Sequence, residues 1–140
     1  MRTLLTIVAL GAVMSGLVGR LHAQQKEDSA ELGTWEGESK CMVAGSPCHD
    51  EHVIYEIARD DKTQALKTDA YKIVNGEKQF MGTLSCNYNA EKKNLSCSGG
   101  NPRMKSDWEY LITGDTIAGT LVIGEERTLY RKISLKRKGK

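Results

Sequence analysis

Residues 33–41 read GTWEGESKC, and their period decides how the rest of the chain is read. Successive side chains of an extended strand point to opposite faces. Trp35, Gly37, Ser39 and Cys41 therefore share one face, and Thr34, Glu36, Glu38 and Lys40 share the other. The same alternation recurs downstream in Val53, Tyr55 and Ile57, in Tyr71 and Ile73, and in Phe80, Leu84, Cys86 and Tyr88. It continues through Leu95 and Cys97, then Met104, Ser106, Trp108 and Tyr110, then Ile117, Gly119, Leu121 and Ile123, and ends with Leu129, Arg131, Ile133 and Leu135. Turn chemistry separates the runs: RDDKTQ at 59–64, the Asn-Gly pair of NGE at 75–77, a two-residue turn at Glu91-Lys92, SGGNP at 98–102 and TGD at 113–115. No stretch beyond the first two dozen residues keeps a helical period. The expectation is an all-β chain of eight strands, arranged as an antiparallel up-and-down barrel that hides its edges by closing; an open sandwich is the alternative.

The N-terminal stretch has a different character. Arg2, an apolar run from Leu4 to Val18, and Leu21-His22-Ala23 before a cut point read as a cleavable signal peptide over residues 1–23. The run is too short for a membrane span. Residues 24–31, QQKEDSAE, are polar and aperiodic and read as a flexible leader, with the barrel domain over 32–137 and a basic tail at 138–140. Cleavage would leave 117 of the 140 residues, enough for one core, and would remove Arg2 and Arg20 from 20 basic side chains, which balances the 18 acids. Periplasmic or secreted localisation follows, and in that oxidising setting the four cysteines read as two disulfides. Of three connectivities, two local pairs stand out: Cys41 with Cys48, and Cys86 with Cys97 on opposite sides of the predicted hairpin. Each would stabilise by about 2 to 3 kcal/mol.

Gly33-x-Trp35 on the first strand, with Arg131 on the inward parity of the last, resembles the calycin group of barrels, the lipocalins above all. The resemblance implies that an Arg of the final strand lies across that Trp at a closed end, a cation–π contact of about 0.5 to 2 kcal/mol. Arg137 shares the parity of Arg131 and is the other candidate. GTWEGESKCMVAGSPCHDEHVIYEI, GDTIAGTLV and LYRKISLKR together resemble a group of small exported bacterial proteins, which implies a compartment and a fold but no activity.

The densest chemical cluster is CHDEH at 48–52, where His49 and His52 are candidate metal ligands beside Asp50 and Glu51. On a strand the two imidazoles would point to opposite faces, so no metal site is expected. The aromatic set Trp35, Tyr55, Tyr71, Phe80, Trp108 and Tyr110 falls mostly on the inward parity and either fills the barrel or lines a cavity. The basic residues from Arg127 to Lys140 read as a solvated end rather than a phosphate or membrane contact. The NLS sequon at 94–96 lies within a strand and carries no weight. No nucleophile stands beside a base, and no paired carboxylates or glycine loop points to catalysis or to a cofactor.

The expectation is a monomeric, non-enzymatic protein without nucleic-acid partner or membrane span, binding a small apolar or aromatic molecule through Trp35, Tyr55, Tyr71, Trp108, Tyr110 and Arg131. The alternative is a protein-binding module, such as an exported hydrolase inhibitor, that uses loops 42–50 and 98–103. Internal volume discriminates them: a cavity of roughly 300 Å³ or more favours a small ligand.

Overall fold

A computed structural model describes residues 29–139, so the readings of a signal peptide at 1–23, of leader residues 24–28 and of Lys140 lie outside the described residues. The eight strands are β1 (Gly33–Cys41), β2 (Glu51–Arg59), β3 (Leu66–Val74), β4 (Glu77–Asn89), β5 (Asn94–Ser98), β6 (Ser106–Thr113), β7 (Thr116–Ile123) and β8 (Thr128–Arg137). Each pairs antiparallel with its sequence neighbours, and β8 pairs back onto β1, so the sheet is a closed up-and-down barrel. The open sandwich is thereby excluded. No helix among the described residues is long and apolar enough to cross a membrane.

The turns have the chemistry their residues dictate. Asn75 and Gly76 both take positive φ (52° and 80°), as the tightest hairpin turns require. In the turn before β3, Asp60 Oδ1 accepts from the backbone N–H of Lys62 and Thr63 and from the Thr63 hydroxyl. The hairpin expected to turn on two residues instead uses four, 90–93, with Lys93 at φ 53°. Its centre is unchanged, so Cys86 still faces Cys97 as a direct cross-strand pair. Both local disulfides are present, Cys41–Cys48 and Cys86–Cys97.

Among the described residues, Trp35, Val53, Leu95, Tyr110, Ile112 and Leu135 are the large apolar side chains most completely removed from water, and they belong to the core inside the barrel. The Cys86–Cys97 bridge points inward among them, with Cys97 buried. Gly37 sits where β1 meets β8: a Cβ there would stand 2.1 Å from the Ser134 carbonyl oxygen, so the seam closes only around a glycine. Gly119 leaves room for the Tyr110 ring in the same way, with a hypothetical Cβ 2.3 Å from Tyr110 Cδ1.

Two bulges break the simple alternation. Ala70 pairs with Gly82 but Tyr71 pairs with Phe80, so Met81 is an extra residue and the parity of β4 inverts there. Phe80 is consequently on the outside, 61% exposed, with Tyr71 beside it. On β8, Leu121 pairs with Arg131 and Val122 with Leu129, so Tyr130 is extra and Leu129 leaves the inward set. The basic C-terminal stretch is strand through Arg137, and four of its cations have acidic partners: Arg127 with Asp107, Arg131 with Glu51, Arg137 with Asp115 and Lys138 with Glu36.

Candidate functional site

The barrel has two unlike ends. One is sealed: residues 29–32 make a turn across it, in which the Leu32 N–H donates to the Ser29 carbonyl. Trp35 Nε1 donates to the Glu31 carbonyl at 3.0 Å, and the Arg137 guanidinium lies 4.1 Å from the centroid of the Trp35 ring. Arg137 also donates to the carbonyls of Leu32 (2.7 Å) and Ala30 (2.6 Å) and to Asp115 (2.9 Å). The end of the stretch read as a flexible leader is thus held by hydrogen bonds. The Arg that stacks on the Trp is Arg137, not Arg131; the register decides it, because Trp35 is the Cα partner of Arg137 whereas Arg131 faces Cys41 near the opposite end.

The other end is open and is framed by loops 42–50 and 99–105. Loop 42–50 is tied by the Cys41–Cys48 bridge and by the Cys41 N–H donating to Asp50 Oδ1 at 2.8 Å. Beneath these loops lies a cavity of about 170 Å³ lined by Tyr55, Leu84, Trp108 and Leu121, with Arg131 and Glu51 on one wall. Arg131 and Glu51 are only 14% and 13% exposed, with Nη2 3.5 Å from Glu51 Oε2. Arg131 Nη1 donates to the Ser39 carbonyl and hydroxyl, both at 3.2 Å, and to the His49 carbonyl at 3.1 Å. Burial pushes the Tyr55 phenol up to about 12, so it is a hydroxyl at neutral pH.

Of the six side chains expected to bind, Tyr55, Trp108 and Arg131 line this cavity. Tyr110 lies outside the lining, edge-on to Tyr55 with ring centroids 6.0 Å apart. Trp35 belongs to the sealed end, and Tyr71 is on the outer surface, packed edge-on against Phe80 at 5.4 Å with Lys78 Nζ 3.8 Å above its ring. Placing Tyr71 inside fails because the inward residues of β3 are Leu66, Thr68 and Ala70, opposite in parity to the larger Tyr71 and Ile73. Sequence reasoning missed Glu51 as a wall residue. Its signal was available, since Glu51 is in phase with Val53 and Tyr55.

The two histidines do not share a strand, because β2 begins only at Glu51. His52 is on the outer face, where Nε2 lies 2.8 Å from Glu36 and Nδ1 3.3 Å from Glu38. His49 is in the loop, 3.9 Å from Glu51. Among the described residues, no group of three or more His, Cys, Asp or Glu side chains is placed to hold a metal ion. A larger cleft of about 900 Å³ opens at the end crossed by residues 29–32, beside that turn, where Arg59 and Lys93 accompany Glu31. It offers one aromatic ring, Tyr88, against the two of the mouth cavity.

Compared with known proteins, the chain matches no family model and no curated relative.

Proposed function

We propose that the protein is an exported, non-catalytic barrel that holds one small ring-bearing molecule in its open end. The observation that carries this reading is the cavity itself, with Trp108, Leu84 and Leu121 as apolar walls and Arg131 with Glu51 as a polar one. Binding sites of this kind are concave, mostly apolar and fitted with a few polar groups that set orientation. At about 170 Å³ the space falls short of the roughly 300 Å³ of a drug-sized pocket. It is close to the ~150 Å³ that admits benzene in an engineered apolar cavity. The volume that separates the two readings thus does not favour a ligand of ordinary size, and the small-molecule reading stands only for a single ring with short substituents. Export is supported by the two disulfides and by the character of residues 1–23.

The test is mass spectrometry of an organic extract from the oxidised protein, purified from its native compartment beside an identically treated control barrel. The expected result is one species of single-ring size at close to one per chain. A blank extract, together with failure of any single-ring compound to bind the purified protein, would end this reading.

One observation favours the second reading, a protein-binding module. Of five exposed large apolar side chains among the described residues, Met42, Phe80, Met81 and Met104 stand at the open end. Flexible thioether side chains adapt to varied partners. A protein captured by the wild type, and lost when Met42 and Met104 are changed to Ser, is the result this reading requires.

A further inference from the structure

The walls of the mouth cavity differ in charge. On the arc from β4 to β7 stand Leu84, Trp108 and Leu121, and on the arc formed by β8, β1 and β2 stand Arg131, Ser39 and Glu51. Behind that wall and outside the cavity lining, Lys72 of β3 places its Nζ 3.8 Å from Glu51 Oε1, while Arg131 Nη2 faces Oε2 of the same carboxylate. The lining itself carries one cation and one anion, but that anion is shared with Lys72, so the three side chains together carry a formal charge of +1.

Arg131 is also incompletely used. A guanidinium presents five N–H donors. The Nη1 end meets three oxygens, but Nε and Nη2 form no hydrogen bond among the described residues, and the nearest anion to Nη2 is the Glu51 oxygen at 3.5 Å. Neither nitrogen is a fully buried unpaired atom, so both remain free to take a ligand, and the planar fork of Arg matches a carboxylate with two parallel hydrogen bonds. A cationic ligand would meet the net positive wall, and a neutral one would leave the charge unanswered.

We infer that the ligand is a single-ring carboxylic acid, bound as its anion, with the ring against Trp108 and Leu84 and the carboxylate on Arg131. The inference rests on the ring-sized reading of the same cavity and adds the charge. It is tested by titration calorimetry at pH 7 with benzoate, benzyl alcohol and benzylamine, which keep the ring and change the charge. Benzoate is expected to bind at least tenfold more tightly than benzyl alcohol, and benzylamine more weakly than either.

Arg131→Gln should abolish the preference for benzoate over benzyl alcohol, read as the ratio of the two affinities in the same variant. Arg131 also ties the 42–50 loop through His49, so Lys72→Gln is the companion variant: it removes one positive charge without touching that loop and should weaken benzoate severalfold, with benzyl alcohol unchanged. Equal binding of benzoate and benzyl alcohol by the wild type, or a preference for benzoate that survives both substitutions, overturns the inference and leaves the ring-sized site standing. Failure of all three compounds to bind, with unaltered tryptophan emission, overturns both.

Discussion

Tyr110 places its hydroxyl in the barrel interior: the residue is 1% exposed, and the hydroxyl has the Tyr55 hydroxyl as a polar neighbour but makes no hydrogen bond of ordinary geometry among the described residues. Burial holds the phenol well above its ordinary value of 10.0, so the group stays neutral. An unmatched buried hydroxyl costs about 1 to 3 kcal/mol, and removing it while keeping the ring recovers part of that. Tyr110→Phe is therefore expected to be neutral or to stabilise by about 1 kcal/mol in urea denaturation; a loss of 1 kcal/mol or more would reveal a partner for the hydroxyl. Residue identity alone gave half of the sealed end. Parity put both Arg131 and Arg137 on the inward side, and only the pairing of Trp35 with Arg137 separates the Arg that stacks from the Arg that lines the mouth. Pairing of the first strand with the last depends on the tilt and stagger of the whole barrel, which no local pattern contains.

At the level of strands, alternation located all eight, because every inward run is bounded by residues that favour turns. It went astray where a strand carries an extra residue. Around Met81, the sequence FMGTLS gives no sign that the face switches apart from Gly82, whose φ of 153° few other residues adopt. Phe80, placed in the mostly inward aromatic set, is thereby put outside, where it packs on Tyr71, which faces out by the parity of β3 itself. The β4–β5 hairpin was legible because its turn is symmetric, and lengthening it from two residues to four did not disturb the Cys86 and Cys97 pairing. That bridge closes a span of 11 residues, and in the chain-entropy account its loss costs about 3 kcal/mol. The double change Cys86→Ala with Cys97→Ala should lower stability by that amount without altering the strand content seen by circular dichroism. A cost below 1 kcal/mol would mean that the reduced chain keeps its hairpin when unfolded.

For the molecule as a whole, charge pairs on the outer surface set the response to pH. Lys138 and His52 hold Glu36 below its ordinary 4.5, and hydrogen bonds from Thr83 and Lys67 hold Asp69 below 3.8. Glu36 and Glu38 hold His52 above 6.5. Carboxylates lowered by folding give stability that is complete above their unfolded values and is lost as pH falls through the folded ones. A histidine raised by folding gives stability that is complete below 6.5 and is lost as pH rises through its folded value. Stability should therefore peak between pH 4.5 and 6.5 and decline gently on both sides, gently because the His52 side chain is 42% exposed and water screens the pairs. Urea midpoints across pH 3 to 9 would check this, with His52→Asn expected to flatten the alkaline limb. Closure was the part of the architecture that sequence could only favour, since alternation is the same in a sandwich. The seam that achieves it joins the first strand to the last, Trp35 to Arg137, with the Lys138 N–H donating to the Thr34 carbonyl. Synthesis delivers β8 after the other seven strands, so until then one edge of β1 has no mate. The chain can shield that edge only once β8 is present, and until then a second unfinished copy can pair with it instead.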